Sequence, residues 1–142
     1  MRVFRGLNHL PAFIRPVITI GTFDGVHLGH AKIIERLRKK TAEVDGESII
    51  ITFDPHPRFV VAANGGVPIE LLSTSEEKIR SLQALQADNL VVVPFTIAFS
   101  EISAEAYIRD FIVNNFHPHT IIIGYDHHFG KTVRAIINYS KP

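Results

Sequence analysis

Four short apolar runs rich in Val and Ile punctuate the chain, at residues 17–20 (VITI), 48–53 (SIIITF), 89–95 (NLVVVPF) and 120–123 (TIII). None alternates apolar with polar positions, and turn residues border them, so each is predicted to be a strand buried on both faces. Between the runs the apolar spacing becomes helical. Ala104, Tyr107, Ile108, Phe111 and Ile112 follow an i, i+3, i+4, i+7, i+8 stripe behind Ser103 as N-cap, and Pro118 marks that this helix has ended. A second helix is predicted from about Leu28 to Val44, with Ile34, Leu37 and Thr41 on one side. A third begins near Ser75 with Ile79, Leu82 and Leu85 inward, and Ser73 with Glu76 can form its capping box. Strands alternating with helices predict an α/β fold, a Rossmann-like parallel sheet with flanking helices joined by right-handed crossovers. In such sheets ligands bind beyond the carboxyl ends of the strands, so chemistry is sought just after each one. Residues 55–68, with Asn64, Gly65 and Gly66, read as a mobile loop whose tip can close over a substrate.

Composition narrows this picture. A chain of 142 residues with 46% hydrophobic positions suits one domain around one core and excludes disorder. The net charge of +1 supplies no broad field for nucleic acid or a membrane surface, so any anion site must be local. Without cysteine there is no disulfide, thiolate metal site or Cys nucleophile, which fits a reducing compartment. No segment reaches the ~20 apolar residues of a membrane span, and the N-terminal MRVFRGLNHLPAFIRP has no apolar stretch of signal-peptide length, so a soluble cytoplasmic protein is expected. Oligomeric state is not legible in the pattern.

The densest chemistry follows the first of these strands, where residues 21–30 read GTFDGVHLGH. A strand-to-helix turn offers unpaired backbone N–H groups and a partial positive charge, and glycines let a phosphate approach them. His27 and His30, three residues apart at the helix start, can project from one side as hydrogen-bond donors. Transfer of a nucleotidyl group to a phosphate acceptor needs alignment and charge stabilisation rather than a covalent enzyme intermediate, and such donors suit it. Phe23 either packs or touches a ligand ring. After the second strand, Pro55 and Pro57 restrain the backbone around His56, beside Asp54 and Arg58; a packed loop residue is the plainer reading of His56. After the fourth come Asp126, His127, His128 and Lys131, where Lys131 can offset phosphate charge, while turn formation by Asp126 and a solvated Lys131 are the bland alternatives. Zinc held by the eight His is disfavoured by the lack of Cys and of a His-and-carboxylate set on one element. His117 and His119 flank Pro118 in a connection and are assigned no function.

These segments carry a resemblance. GTFDGVHLGH resembles the first signature of the adenylyltransferase domain of the bacterial bifunctional riboflavin kinase/FMN adenylyltransferase family. ITFDPHPR, residues 51–58, is similar to its Thr-Phe-x-Pro-His-Pro loop, and GYDHHFGK, residues 124–131, to its Gly-x-Asp-x-x-Phe-Gly segment. The intervening PFTIAFSEISAEAYI matches too, so the resemblance covers roughly residues 1–131. It implies a nucleotidyltransferase fold of the His-x-Gly-His type and transfer of AMP from ATP to FMN, giving FAD and pyrophosphate with Mg²⁺ assistance. It implies His27 and His30 as catalytic contacts to ATP phosphates, and Gly21, Thr22, Phe23, Asp24, Gly25 and Gly29 as the ATP- and phosphate-binding turn. Asp54, His56, Arg58, Asp126 and Lys131 become substrate-loop candidates. No protein-held metal, nucleic acid or membrane is implied, and ATP and FMN are the partners.

The chain also departs from that pattern. Family members often carry an aromatic residue and Arg where His127 and His128 stand. They usually show an Arg and a Gly soon after Gly-Lys, then a further strand and a Ser/Thr-rich segment ending in Arg. Here TVRAIINYSKP follows Lys131, with Arg134 displaced and no Gly. STSEEKIR, residues 73–80, mimics the later segment but precedes the third strand and reads as helix capping. The expectation is an adenylyltransferase domain over 1–142, truncated or altered after about residue 131, without the riboflavin kinase module. Whether 136–139 adds a strand stays open. Two alternatives remain beside FMN adenylyltransferase: a nonproductive nucleotide- or flavin-binding remnant, and a related nucleotidyltransferase with another phosphate acceptor.

Overall fold

Each of the four apolar runs becomes a strand, because a segment apolar on both sides can be satisfied only between two layers of helix. The computed structural model describes residues 1–21, 23, 28–54, 75–122 and 138–140, the side chains at 28–30, 75 and 138–140 excepted. In chain order the elements are β1 (Arg2–Arg5), β2 (Val17–Ile20), α1 (Leu28–Val44), β3 (Ser48–Asp54), α2 (Ser75–Gln83) and β4 (Asn89–Pro94). A short α3 (Ile97–Ser100), a long α4 over residues 104–116, β5 (Thr120–Ile122) and β6 (Asn138–Ser140) follow. The sheet order is β1-β4-β3-β2-β5-β6. The first five strands run parallel, while β6 pairs antiparallel to β5, with Thr120 opposite Ser140. The predicted α/β class and Rossmann-like sheet are therefore what this chain forms.

Alternation of side chains across the strands divides the core in two. Ile18, Ile20, Ile49, Ile51, Phe53, Val91 and Val93 meet Tyr107, Phe111, Ile112 and Phe116 of α4 on one face. Val17, Ile50, Leu90 and Val92 meet Ile34 and Leu37 of α1 and Ile79 and Leu82 of α2 on the other. Thr41, predicted inward on α1, is buried and donates its hydroxyl to the Leu37 carbonyl at 2.6 Å, so the apolar layer holds no unsatisfied hydroxyl there.

The predicted cap of α4 is present: the Ser103 side chain accepts from the Ala106 N–H. The helix is not uniform, however, since its middle section, Tyr107–Val113, is π-helical. Tyr107 and Phe116 are nine residues apart and would stand about half a turn out of phase on a regular helix. The wider winding brings both aromatic side chains toward the sheet. His117, in the left-handed region at φ 47°, ends the helix before Pro118.

Two strands go beyond the sequence reading. β1 is four residues long, is bounded by Arg2 and Arg5, and lies at the sheet edge, so it lacks the continuous apolar signature of its neighbours. In the tail, the strand occupies Asn138–Ser140. The capping partner Ser73 and the expected loop over 55–68 lie outside the described residues.

Candidate active site

The chain proceeds β2, β3, β4 in one direction across the sheet, then returns through α3 and α4 to place β5 on the other side of β2. The order reverses between β2 and β5. At such a switch point the crossovers leave on opposite faces and open a crevice at the strand ends, where ligands of doubly wound sheets bind. The segment GTFDGVHLGH leaves β2 here and GYDHHFGK leaves β5, while DPHPR leaves β3 on the adjoining side of β2. The described carboxyl ends of β3, β2 and β5 thus lie side by side at one edge of the sheet.

Gly21 closes the β2 ladder: its N–H donates to the Ile51 carbonyl at 3.0 Å. A Cβ at this position would stand 3.0 Å from Cε2 and 3.2 Å from Cζ of Phe23, so a larger residue would press on the ring folded back over the glycine. Phe23 is only 2% exposed and belongs to the core layer under α1 and α2. Its ring is committed to packing, which leaves the backbone as its part of the turn. That backbone is left-handed, at φ 53°, an uncommon state for a non-glycine residue and one that swings the chain out of the sheet.

Helix α1 begins at Leu28, so Gly29 and His30 lie in its first turn, where backbone N–H groups have no partner within the helix. This end meets the sheet at the switch point and presents the positive pole of the helix to it. Asp54 is the last residue of β3; it is half-buried, and its carbonyl accepts from the Phe95 N–H at 3.4 Å. Thr22, Asp24, Gly25, His27, His56, Arg58, Asp126 and Lys131 lie outside the described residues, as does the His30 side chain. Among the described residues no group of three or more His, Asp or Glu is placed to hold a metal ion. His117 and His119 sit at the amino end of β5, away from this edge, and His119 donates its N–H to the Pro16 carbonyl.

One residue at this edge escaped the sequence reading. Lys78, on α2, is 6% exposed and its Nζ donates to the Phe53 carbonyl at 3.0 Å. The available signal was its helical phase: 78, 82 and 85 fall on one stripe with two leucines, so a lysine stood on the inward side of an amphipathic helix.

The family model described as FAD synthetase matches residues 12–141. The chain belongs to the FAD synthetase family. Among curated relatives of this FAD synthetase member, the bifunctional riboflavin kinase/FMN adenylyltransferase of Listeria monocytogenes is 35% identical over 83% of this chain and 37% of its own length. The protein of the same name from Buchnera aphidicola subsp. Acyrthosiphon pisum is 30% identical over 99% of this chain and 45% of its own. That of Escherichia coli K12 is 29% identical over 92% and 42%. The chain thus spans less than half the length of these relatives. It also resembles the solved structure of a macrolide-efflux protein from Streptococcus pneumoniae, with a TM-score of 0.74 over 92% of this chain and 43% of that one. At 19% identity this likeness shows the fold alone. No helix among the described residues is long and apolar enough to cross a membrane.

Proposed function

We propose that this chain is an FMN adenylyltransferase, one adenylyltransferase domain over residues 1–142, acting in the cytoplasm on ATP and FMN without nucleic acid. The observation that carries the reading is the FAD synthetase family match over residues 12–141, supported by a sheet whose strand order reverses between β2 and β5. A phosphate oxygen of FMN attacks the α-phosphorus of ATP, a new P–O–P linkage forms, and the bond to pyrophosphate breaks.

No side chain has to bond covalently to the nucleotide in this step. The turn after β2 and the first amides of α1 hold the phosphates by N–H donation. His27 and His30 donate to the phosphate oxygens on which charge builds as the α-phosphorus becomes five-coordinate. Asp54 and His56 with Arg58 leave β3 on one side, and Asp126 with Lys131 leave β5 on the other, as the residues that position the second substrate and offset its charge. Mg²⁺ would arrive with the ATP phosphates, which supply the hard oxygen ligands that this ion prefers. Bound there, Mg²⁺ supplies neutralisation of phosphate charge.

Chromatography after incubation with FMN, ATP and Mg²⁺ tests the reading, with FAD and pyrophosphate expected in equal amounts. A folded protein that consumes ATP only with a different phosphate acceptor assigns it to a sister activity. The segment after Lys131, with Arg134 displaced and no Gly, favours a second reading as a nonproductive binder, which predicts ATP binding by calorimetry with no FAD formed.

A further inference from the structure

Helix α4 changes its winding twice. Near its start the Tyr107 N–H donates to the Ser103 carbonyl at 2.9 Å, and at its end the His117 N–H donates to the Val113 carbonyl at 2.9 Å, both four residues back. Between them the Asn114 N–H donates to the Arg109 carbonyl, five residues back. An α register therefore brackets a π register. Sections of this kind are rare and short, so more than the backbone must hold this one. The Asn115 side chain supplies part of that hold. Its Nδ2 donates to the Phe111 carbonyl at 2.7 Å and to the Asp110 carbonyl at 3.4 Å. These oxygens, four and five residues back, are the α and π acceptors open to the backbone N–H of residue 115. One side-chain amide thus bridges the two carbonyls between which the registers choose.

The aromatic rings supply the rest. Phe111, inside the π section, lies 5.0 Å from Phe99, 5.2 Å from Tyr107 and 6.0 Å from Phe116, each edge to face. Phe99, on α3, lies 5.7 Å from Phe53 near the carboxyl end of β3 and 5.6 Å from Phe95, which follows β4. With the π winding Tyr107 and Phe116 are both buried. On a regular helix of the same length they would stand about 180° apart, and with one residue fewer about 80° apart. The section therefore holds one residue more than a regular helix with both rings inward needs. An α winding of the full sequence would recover regular backbone geometry. It would also turn the amino-terminal half of α4 by about 100°, the angle of one residue, and take Tyr107 away from Phe99 and Phe111. Backbone geometry and ring burial favour different registers.

We propose that α4 is a two-register element. Asn115 holds its middle section in the π register, which keeps Phe99 and α3 packed on Phe53 at the carboxyl end of β3. Release into the α register turns the amino-terminal half of α4 and lifts Phe99 and α3 off that edge. Sheets of this kind bind ligands beyond the carboxyl ends of their strands, so the register gates the β3–β4 side of the edge. The gate rests on the FMN adenylyltransferase reading for its ligand; the two registers do not.

The test is native-state amide exchange read by mass spectrometry, which reports how often each section opens. Asn115→Leu keeps the size of the side chain and removes the donor. Deletion of Asp110, an exposed residue, removes the surplus residue, so that α winding and inward rings coincide. In Asn115→Leu the amides between Phe99 and Phe111 are expected to exchange at least tenfold faster, with those of β3 and β4 within twofold of wild type. The Asp110 deletion is expected to exchange no faster than wild type, and adding Asn115→Leu to it should change the rate less than threefold. Unchanged exchange in Asn115→Leu overturns the proposal, as does equal acceleration in β3 and β4, which marks a general loss of stability. Acceleration that persists in the double variant reduces Asn115 to one hydrogen bond and overturns it too. Saturating FMN should slow the same wild-type amides at least threefold, and no slowing in protein that makes FAD overturns the gate. Wild-type protein that makes no FAD sinks the enzymatic reading, and the exchange of the variants still decides the two registers. If Asn115→Leu does not fold, Asn115→Ser carries the same readouts.

Discussion

Replacing Gly21 with Ala adds one methyl group at the place where β2 becomes the candidate phosphate turn. That carbon would lie 3.0, 3.2 and 3.4 Å from three atoms of the Phe23 ring, closer than comfortable carbon contacts. The strain is purely steric, since Gly21 is not among the positive-φ residues. Relief requires the ring or the turn to move by a few tenths of an ångström. The ring is 2% exposed and packed in the layer with Ile34, Leu37 and Ile50, so most of the displacement falls on the turn. Overpacking of a well-filled site costs about 1–3 kcal/mol. In a domain of this size that lowers Tm by roughly 3–10 °C. The effect on FAD formation should be larger than the loss of stability suggests, because a shift of ~1 Å in a positioning element can cost about 10²-fold in rate. Thermal unfolding and initial rates should be measured for Gly21→Ala, Phe23→Leu and the double variant. Phe23→Leu alone leaves a cavity and is destabilising, but it also makes room for the new methyl, so the double variant should be more stable than the two single losses predict. Additive losses would refute the contact as the origin of the strain, and a Gly21→Ala protein with wild-type Tm and rate would refute the requirement for glycine.

Burial pushes the Tyr107 phenol well above its ordinary 10.0, so the folded state keeps its proton where the unfolded state loses it. The stability this confers is complete below pH 10 and falls as pH rises beyond it, by up to about 1.4 kcal/mol per pH unit; urea titrations should show the loss and Tyr107→Phe should flatten it, whereas an unchanged slope would contradict the assignment. A Cβ at Gly46 would collide with the Arg15 carbonyl oxygen, so Gly46→Ala should lower the urea midpoint by an amount equivalent to about 1–3 kcal/mol while the turnover of the folded fraction stays near wild type. His30→Ala should reduce adenylyl transfer much more than ATP affinity, and equal losses by kinetics and calorimetry would make it a binding residue only.

The elements most legible in the sequence were those whose local pattern and tertiary setting agree. β2, β3 and β4 are central strands, apolar on both faces, and α1 shows its buried stripe at Ile34, Leu37 and Thr41. β1 was not legible because an edge strand flanked by arginines needs little apolar sequence; its partner β4, 84 or more residues away, supplies the ladder. The π-helical section of α4 was hidden for a related reason, since its spacing is compatible with a regular helix until the sheet requires Phe116 to face inward. Lys78 was passed over because a lysine in an amphipathic helix reads as solvated. Its burial and its bond to the Phe53 carbonyl follow from the packing of α2 on the sheet.

By itself, then, the sequence determined the α/β class, the central strands and the family, because burial on two faces and the family's motifs are written in neighbouring residues. It also determined that any anion site is local, since 15 basic and 14 acidic residues leave almost no net field. Strand order was decided only in three dimensions. Nothing local says that β5 returns beside β2 rather than continuing past β4, yet that return creates the switch point between β2 and β5. The tertiary structure likewise decided that Phe23 packs its ring into the core and that Lys78 is buried against the end of β3. Both follow from which surfaces meet when the layers close, a physical fact that no short stretch of residues contains.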